Sequence, residues 1–221
     1  TQVLSDIFTV QEIKKKPIKN LKISWIGDSK NVLNSLIAAA VKFSFYLNVG
    51  CPKKYKPKKN ILVVVAHPDD EILGCGGTIA KYSKKYNINL CILSDGESSR
   101  NLNKSQLEIK IKNRKIMSKK ASKIIGIKKI FYGNFPDNRF DSVDLIYIIK
   151  FIENIIRISN PETVYTHYEN DLNIDHRITF QAVQTAARPQ LRSKIKNIFS
   201  FYIPSSTEWN FSENNHFLPN V

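Results

Sequence analysis

An apolar run that ends in a dense polar cluster is the feature that most constrains this chain. Residues 61–66 (ILVVVA) are apolar without interruption, as expected of a strand buried in a parallel sheet. His67, Asp69, Asp70 and Glu71 follow at once. One Asp at a helix start is commonly an N-cap, but capping does not account for the other three groups. The cluster predicts a ligand site, because open α/β sheets bind ligands at the carboxyl ends of their strands.

Strand and helix patterns alternate along the chain. A first series predicts a strand at 21–26, a helix at 31–46 and a strand at 47–51. A second series predicts strands at 61–66, 88–93, 129–132, 163–166 and 197–202, with helices at 72–86, 105–125, 142–159 and 175–187 between them. Such alternation predicts an α/β fold: a Rossmann-like three-layer sandwich with a mostly parallel sheet, preceded by a small βαβ fragment.

A lysine- and proline-rich segment separates the two series. Residues 51–60 (CPKKYKPKKN) are typical of a linker or a surface turn. We therefore predict two domains, at 1–58 and 59–221. Because the chain starts with Thr1 and its only methionine is Met117, we expect it to be a fragment, with the second domain truncated at its C-terminus.

Composition narrows the possible partners. The net charge is +15, and basic surfaces can bind nucleic acid. However, the basic residues are mostly lysines spread along the chain, with no arginine-rich stripe, so we expect no nucleic-acid partner. No apolar run approaches the ~20 residues of a membrane span, so we expect no membrane-spanning segment. The odd number of cysteines argues against a disulfide framework and predicts a cytoplasmic location.

A second polar cluster follows the predicted strand at 163–166. Its sequence, HYENDLNIDHR (167–177), together with the first cluster holds three of the four histidines. Both clusters follow strands, so a parallel sheet can bring them to one edge. Two histidines and one carboxylate form a catalytic zinc ligand set that leaves a position for water. Zinc activates that water, and a spare carboxylate can act as general base, which is the equipment of an amide hydrolase.

On these residues the chain resembles the PIG-L/LmbE-like family of zinc de-N-acetylases, over about residues 60–221. AHPDDEILGCGGTIA (66–80) is highly specific to that family, and SDGE (94–97) and DLNIDHR (171–177) extend the match. The resemblance implies an LmbE-like fold with Zn²⁺ as cofactor. It also implies a hydrolase that removes the acetyl group from a small N-acetylated sugar, such as N-acetylglucosamine, or from a glycoconjugate.

The resemblance assigns roles to individual residues. The zinc ligands are His67, Asp70 and His176, and the general base is Asp69. Two acids stand behind the ligands, Glu71 and Asp175. Two residues contact the sugar, Arg114 and Asp137.

Two positions depart from the family pattern. Many members have a histidine three residues before the last ligand, where this chain has Asn173. We expect either that His167 supplies this second catalytic function or that Asp69 shuttles the proton alone. The acid that usually follows the arginine by three positions is replaced by Met117, so Arg114 is expected to lack its acidic companion.

Residues 1–58 resemble part of the ornithine-binding domain of ornithine carbamoyltransferase. The matching segments are TQVLSDIFTVQE and LKISWIGDSKNVLNSLIAAAVKF. Because the phosphate-binding Ser-Thr-Arg-Thr-Arg loop of that enzyme is not in this sequence, we expect no carbamoyl transfer. Two alternatives to the sugar deacetylase stay open. One is a zinc amidohydrolase for another small N-acyl compound, and the other is a non-functional chimera that carries an inactive carbamoyltransferase fragment.

Overall fold

The computed structural model describes residues 2–28, 31–51, 58–189, 193–209 and 217–219. The chain forms two compact units, Thr1–Lys58 and Lys59–Val221. Most of the predicted linker, residues 52–57, lies outside the described residues. Among the helices that are described, none combines the length and apolar character needed to cross a membrane.

The first unit contains the predicted βαβ arrangement and one helix more. Its elements are α1 (Gln2–Lys14), a 3-10 turn (Ile18–Asn20), β1 (Lys22–Ile26), α2 (Asn31–Phe43) and β2 (Tyr46–Gly50). The two strands pair in parallel. Helix α1 was not predicted, because its apolar residues do not keep to one face: Val3 and Ile7 are buried, whereas Phe8 and Ile13 are exposed. A weak helical period of this kind gives little sequence signal.

The second unit contains every strand and helix predicted for it. Its elements are β3 (Asn60–Val65), α3 (Asp70–Tyr82), β4 (Asn87–Ser94), α4 (Lys104–Ile125), β5 (Lys129–Phe135), α5 (Leu145–Ser159), β6 (Thr163–Thr166), α6 (Ile174–Ala186) and β7 (Asn197–Ser200). The five strands are all parallel, in the order β5-β4-β3-β6-β7. The predicted α/β fold is therefore confirmed.

Two apolar layers cover the sheet, one on each face. Alternate residues of β3 point to opposite faces, as the period of a strand requires. Leu62 and Val64 pack with buried residues of α5 and α6, whereas Val63 and Val65 pack with Cys75 and other residues of α3. The result is the three-layer arrangement that the alternation of elements predicted.

The order of the strands reverses beside β3. The chain runs outward from β3 through β4 to β5 and then returns to place β6 on the other side of β3. At such a switch point the connections leave the sheet toward opposite faces and open a crevice above the carboxyl ends of the strands. The two polar clusters of the sequence follow β3 and β6, so both lie at this crevice.

Candidate metal centre

Three side-chain atoms at the crevice form a nearly regular triangle, called here the triad. His67 Nδ1 lies 3.2 Å from His176 Nε2 and 3.3 Å from Asp70 Oδ2, and the third side measures 3.4 Å. In a tetrahedral zinc site with bonds of ~2.0–2.1 Å, ligand atoms lie about 3.3–3.4 Å apart. The spacing and chemistry of these donors therefore fit an ion of this kind and leave one coordination position open.

A buried carboxylate contacts the far nitrogen of each triad histidine. Asp175 Oδ2 lies 3.2 Å from His67 Nε2, and Asp171 Oδ1 lies 3.1 Å from His176 Nδ1. Each carboxylate keeps a proton on the nitrogen that it contacts, so the other nitrogen can present its lone pair to a metal ion. The backbone N–H of Phe140 donates to Asp175 Oδ1 at 3.0 Å and holds that carboxylate in place.

Asp171 is a site residue that the sequence reasoning missed. Its carboxylate accepts hydrogen bonds from Ser206 Oγ at 3.0 Å, from Thr207 Oγ1 at 2.6 Å and from the backbone N–H of Asn173 at 2.8 Å. Its place in the second polar cluster, five residues before His176, was a signal that could have identified it. Ser206 and Thr207 follow β7, far from both clusters in sequence, and carry no such signal.

Burial and mutual charge set the protonation states of the triad. Burial alone would lower the pKa of His67, but hydrogen bonds to Asp175 and Asp70 outweigh it and raise that pKa to about 10. Burial would also lower the pKa of His176, but hydrogen bonds to Asp171 and Asp70 raise it. Burial would raise the pKa of Asp70, but the surrounding histidines hold it well below its usual range. A metal ion must therefore displace protons from the histidines when it binds.

Asp69 stands at the N-cap position of α3 but does not cap the helix. Its side chain makes no capping hydrogen bond, whereas Asp70 Oδ2 accepts the backbone N–H of His67 at 2.8 Å. The Asp69 side chain is exposed and lines the cleft above the triad. Desolvation by the cleft walls and the charge of Asp70 raise the pKa of Asp69, and the charge of Arg114 opposes this rise.

The cleft has a volume of about 290 Å³. Besides the triad and Asp69, its walls include Leu73, Gly96, Arg100, Arg114, Asp137, Asn138, Asn173, Ser205 and Ser206. A larger cavity of about 640 Å³ lies between the C-terminal parts of α5 and α6 and contains none of these residues. We place the chemistry in the smaller cleft, because the ligand set and the free carboxylate are there.

Both residues predicted to contact the sugar line this cleft. Asp137 Oδ2 accepts a hydrogen bond from Ser99 Oγ at 2.5 Å, and Asp137 Oδ1 lies 3.5 Å from His67 Nε2. Arg114 has an acidic partner after all: its Nε and one terminal nitrogen lie 3.0 and 2.9 Å from Glu97 Oε1. The position of the usual acidic companion still holds Met117, and the fold supplies a different acid from the loop after β4.

The structure does not bring His167 to the cleft. Its side chain is 0% exposed, its Nε2 accepts the backbone N–H of Ala66 at 2.9 Å, and its ring stacks on His176 with centroids 3.8 Å apart. Burial lowers the pKa of His167 to about 4, so the ring is neutral at pH 7. It packs behind the triad rather than facing a substrate.

Glu71 is likewise buried and absent from the cleft walls. Burial raises the pKa of Glu71 to about 7. Within the described ranges it makes no hydrogen bond or ion pair to the triad, and its Oε2 has no hydrogen-bond partner there. Of the two acids predicted to stand behind the ligands, Asp175 is the one that contacts a triad histidine.

Two family profiles match the chain. The profile of GlcNAc-PI de-N-acetylase, PIG-L, matches residues 62–187, which is more than half of the chain. The Asp/Orn-binding domain of aspartate/ornithine carbamoyltransferase matches residues 19–85, and so extends past the first unit into β3 and α3.

Relatives of two kinds reflect the same division. YaiS of Escherichia coli K12, described as an uncharacterized deacetylase, is 31% identical over 155 residues, which are 67% of this chain and 76% of YaiS. Ornithine carbamoyltransferase of Desulfotalea psychrophila is 52% identical over 61 residues, which are 28% of this chain. The chain thus spans only about a fifth (20%) of the carbamoyltransferase.

Solved structures agree with the fold. N,N'-diacetylchitobiose deacetylase from Pyrococcus horikoshii has a TM-score of 0.55 at 21% identity, covering 78% of this chain and 69% of its own. GalB, a 4-carboxy-2-hydroxymuconate hydratase from Pseudomonas putida, has a TM-score of 0.58 at 24% identity, covering 69% and 68%. Such distant likeness establishes the fold and not the reaction. The profile match and the similarity to YaiS go further: the chain belongs to the PIG-L family of GlcNAc-PI de-N-acetylases.

Proposed function

We propose that this chain is a zinc-dependent hydrolase that removes the acetyl group from an N-acetylated sugar of the N-acetylglucosamine type. The observation that carries the proposal is the triad with its tetrahedral spacing and the uncapped Asp69 beside it in an open cleft. Family membership supports it. So do the names of two similar proteins, the deacetylase YaiS and the diacetylchitobiose deacetylase.

Asp69 is the proton carrier of the proposed reaction. His67, Asp70 and His176 would hold the zinc ion, which supplies an activated water and a polarised amide carbonyl when bound. Asp69 accepts a proton from the attacking water as the oxygen adds to the carbonyl carbon. When the C–N bond breaks, Asp69 returns that proton to the leaving nitrogen, which releases acetate and the amino sugar. Its raised pKa suits a group that must hold the proton between the two steps.

Asn173 stabilises the negative charge that develops on the carbonyl oxygen. Its Oδ1 accepts a hydrogen bond from the backbone N–H of Asp175 at 2.8 Å. This bond caps α6 and identifies the other end of the side-chain amide as the NH₂ group. Its Nδ2 donates one proton to Asn138 Oδ1 at 3.3 Å, so the second proton is available to a substrate in the cleft. An amide does not give up a proton at neutral pH. With His167 buried, proton transfer therefore falls to Asp69 alone.

Arg114 and Asp137 are assigned to the sugar. Both side chains line the cleft, and the charge of Arg114 lowers the pKa of Asp69. A sugar whose amide lies over the triad would therefore contact both side chains. Asp137 can accept a hydrogen bond from a ring hydroxyl, and Arg114 can donate one.

The positions of these residues indicate which domain carries the proposed activity. All the described residues that line the cleft lie between His67 and Ser206, so we assign the deacetylase to a domain at 59–221 and treat 1–58 as a carbamoyltransferase-like fragment without catalytic function. The three cysteines are free, and burial raises the pKa of the Cys75 and Cys91 thiols, to about 12 for Cys75. Unreactive thiols of this kind fit the proposed cytoplasmic location.

Acetate release is the experiment that tests the function. The zinc-loaded chain should release acetate from N-acetylglucosamine or its simple glycosides, and the metal-free protein should not. N-acetylated amino acids serve as the comparison, since preferential release from them would favour the amidohydrolase alternative. A protein that binds zinc but releases acetate from neither class would favour the non-functional chimera.

A further inference from the structure

We propose that Arg177 is a positioning residue, which holds the loop before α6 so that the side-chain amide of Asn173 is aimed into the cleft. Arg177 is the last residue of the second polar cluster, and the family resemblance assigns it no role. It does not line the cleft itself. The inference rests on the proposed function, in which Asn173 stabilises the charge on the carbonyl oxygen.

The guanidinium group of Arg177 reaches back along the chain to two backbone carbonyl groups. Its Nη1 donates to the carbonyl oxygen of Asp171 at 2.6 Å and to that of Leu172 at 2.7 Å. Both residues belong to the loop between β6 and α6. Hydrogen bonds from a charged donor are roughly twice as strong as those between neutral groups, so Arg177 ties this loop to the start of α6.

The peptide group that leads into Asn173 is held at both of its ends. Its C=O, which belongs to Leu172, accepts a hydrogen bond from Arg177. Its N–H, which belongs to Asn173, donates to Asp171 Oδ1 at 2.8 Å. Because a peptide group is planar, two opposed hydrogen bonds fix its orientation. They therefore fix the direction in which the chain enters Asn173, and with it the position from which the side chain starts.

The amide nitrogen of Asn173 is held weakly by its other contacts. Among the described residues, it donates to Asn138 Oδ1 alone, at a long 3.3 Å. Asp171 depends less on Arg177, because its carboxylate also accepts hydrogen bonds from two hydroxyl groups that follow β7. Loss of the Arg177 contacts should therefore disturb Asn173 and not the carboxylate behind the metal ligand.

Arg177 also stands where the rules of helix stability disfavour a cation. It is the fourth residue of α6, close to the positive end of the helix dipole, where Asp175 is the favourable charge. A cation near such an end costs about 0.3–1 kcal/mol. A residue that breaks a local rule points to a function elsewhere in the fold, and the two carbonyl contacts provide one.

Steady-state kinetics of the zinc-loaded full chain, with N-acetylglucosamine as substrate, test this role. Arg177→Met removes both hydrogen bonds but keeps an unbranched side chain, so kcat should fall about threefold to tenfold, with KM and zinc affinity within about twofold. Arg177→Lys keeps a charged donor and should retain most of kcat. Arg188→Met is the matched control. Arg188 Nη1 also donates to a backbone carbonyl, that of Thr185, but Arg188 lies outside the cleft.

Combination with Asn173→Ser separates positioning from a general loss of structure. If Arg177 acts through the amide of Asn173, Arg177→Met should lower kcat by less than about twofold once that amide is gone. A full further loss in the double variant would overturn the proposal, as would an unchanged kcat in Arg177→Met alone. Arg177→Met that fails to fold would overturn it too, since Arg177 would then serve folding.

Nuclear magnetic resonance of the metal-free chain gives a readout that does not depend on turnover. The side-chain NH₂ signals of Asn173, identified by their loss in Asn173→Ser, should report greater ps–ns mobility in Arg177→Met and no change in Arg188→Met. Unchanged signals in Arg177→Met would overturn the positioning role and leave the deacetylase intact. Greater mobility in a chain that releases no acetate would retain the positioning role and reject the proposed function.

Discussion

The ligand side of the site, formed by His67, Asp70 and His176, is held very differently from the cleft side, formed by Asp69 and Asn173. Each ligand-side group contacts other buried polar groups, such as the carboxylates behind the two histidines. Asp69 makes no capping bond, and Asn173 keeps one amide proton free of the protein contacts described. The first arrangement fixes a metal ion, and the second leaves groups available to a substrate.

The difference also separates two kinds of mutational effect. In a buried network, removing one member leaves its partners unsatisfied in a medium where this is costly. Changes on the ligand side should therefore affect metal affinity and folding as well as turnover. Changes on the cleft side should affect turnover while metal binding and folding are retained.

The largest effect on turnover is expected for Asp69→Asn. The amide has almost the same volume but cannot accept the proton of the attacking water, so acetate release should fall by about 10²–10⁴-fold. Zinc affinity should stay within about twofold of the unaltered protein, because Asp69 is outside the triad. Asp141→Asn, an exposed acid away from the cleft walls, is the matched control. Near-normal turnover in Asp69→Asn would show that another group is the base.

The next largest effect is a loss of stability in acid that depends on His167. Its pKa is about 4 when folded and 6.5 in the reference state, so between pH 6.5 and 4 the unfolded chain takes up a proton that the folded chain does not. His167 alone should lower the free energy of unfolding of the metal-free protein by about 3 kcal/mol across this range, whereas the raised pKa values of Glu71 and Asp69 act in the opposite direction within it, so the effect of His167 is the difference between the unaltered protein and a variant without the imidazole. The raised pKa values of His67 and His176 act above this window, where stability falls as pH rises, and the lowered values of Asp70 and Asp171 act below it.

Urea unfolding of the metal-free protein at a series of pH values measures this effect. His167→Gln retains a side-chain oxygen that can accept the N–H of Ala66 but has no group that titrates, so as the pH falls from 6.5 to 4 the variant should gain about 3 kcal/mol of stability relative to the unaltered protein. Identical pH profiles for the two proteins would show that His167 is not the buried neutral histidine described above.

Asp171→Asn should weaken zinc binding by about 10–100-fold. The neutral amide is a poorer partner for the Nδ1 proton of His176, so the ring becomes a weaker ligand. Competition with a chelator gives the affinity. Asp144→Asn, at the start of α5 and without a capping hydrogen bond, is the control for the change of charge. Unchanged affinity in Asp171→Asn would mean that Ser206, 3.3 Å from the same nitrogen, is enough to orient the ring.

A smaller effect is expected for Asn173→Ser. Serine preserves the N-cap of α6, so folding is retained, but it removes the amide donor from the cleft. Losing one of the groups that stabilise the carbonyl oxygen should lower kcat about tenfold, below the 10²–10³-fold typical of oxyanion holes, because the ion shares this task. An unaltered kcat, or an effect on KM alone, would remove Asn173 from the mechanism.

The smallest effect is expected for deletion of the first unit. Among the described residues, none that lines the cleft lies before His67, so a chain that starts at Lys59 should bind zinc and release acetate as well as the full chain. Circular dichroism, zinc content and acetate release would be compared. Loss of folding or zinc binding after deletion would show that the two units belong to one domain.

The sequence predicted the fold of the second unit well for physical reasons. β3 and β4, in the interior of the sheet, are largely apolar, and α4 ends as expected at Gly126, whose φ of +87° suits a glycine. The positions of the triad residues could be inferred, because parallel strands place their carboxyl ends at one edge. Helix α1 escaped prediction because its apolar residues are spread around the helix.

The contacts that tune the site were harder to infer. The pairing of Glu97 with Arg114 joins a loop to α4, and that of Asp171 with Ser206 joins two loops that are distant in sequence, so both depend on how the loops pack. The role expected of His167 shows the same limit. The sequence places it directly after β6, but only the packing shows that Ala66 and His176 enclose it.

The most direct test of the proposed metal centre is to locate the metal ion in crystals of the zinc-loaded protein by anomalous scattering at the zinc edge. We expect one zinc per chain, bound at ~2.0–2.2 Å to His67 Nδ1, Asp70 Oδ2 and His176 Nε2, with a position open toward Asp69. No zinc at the triad, or zinc held there with Asp69 as a fourth protein ligand, would contradict the proposed mechanism.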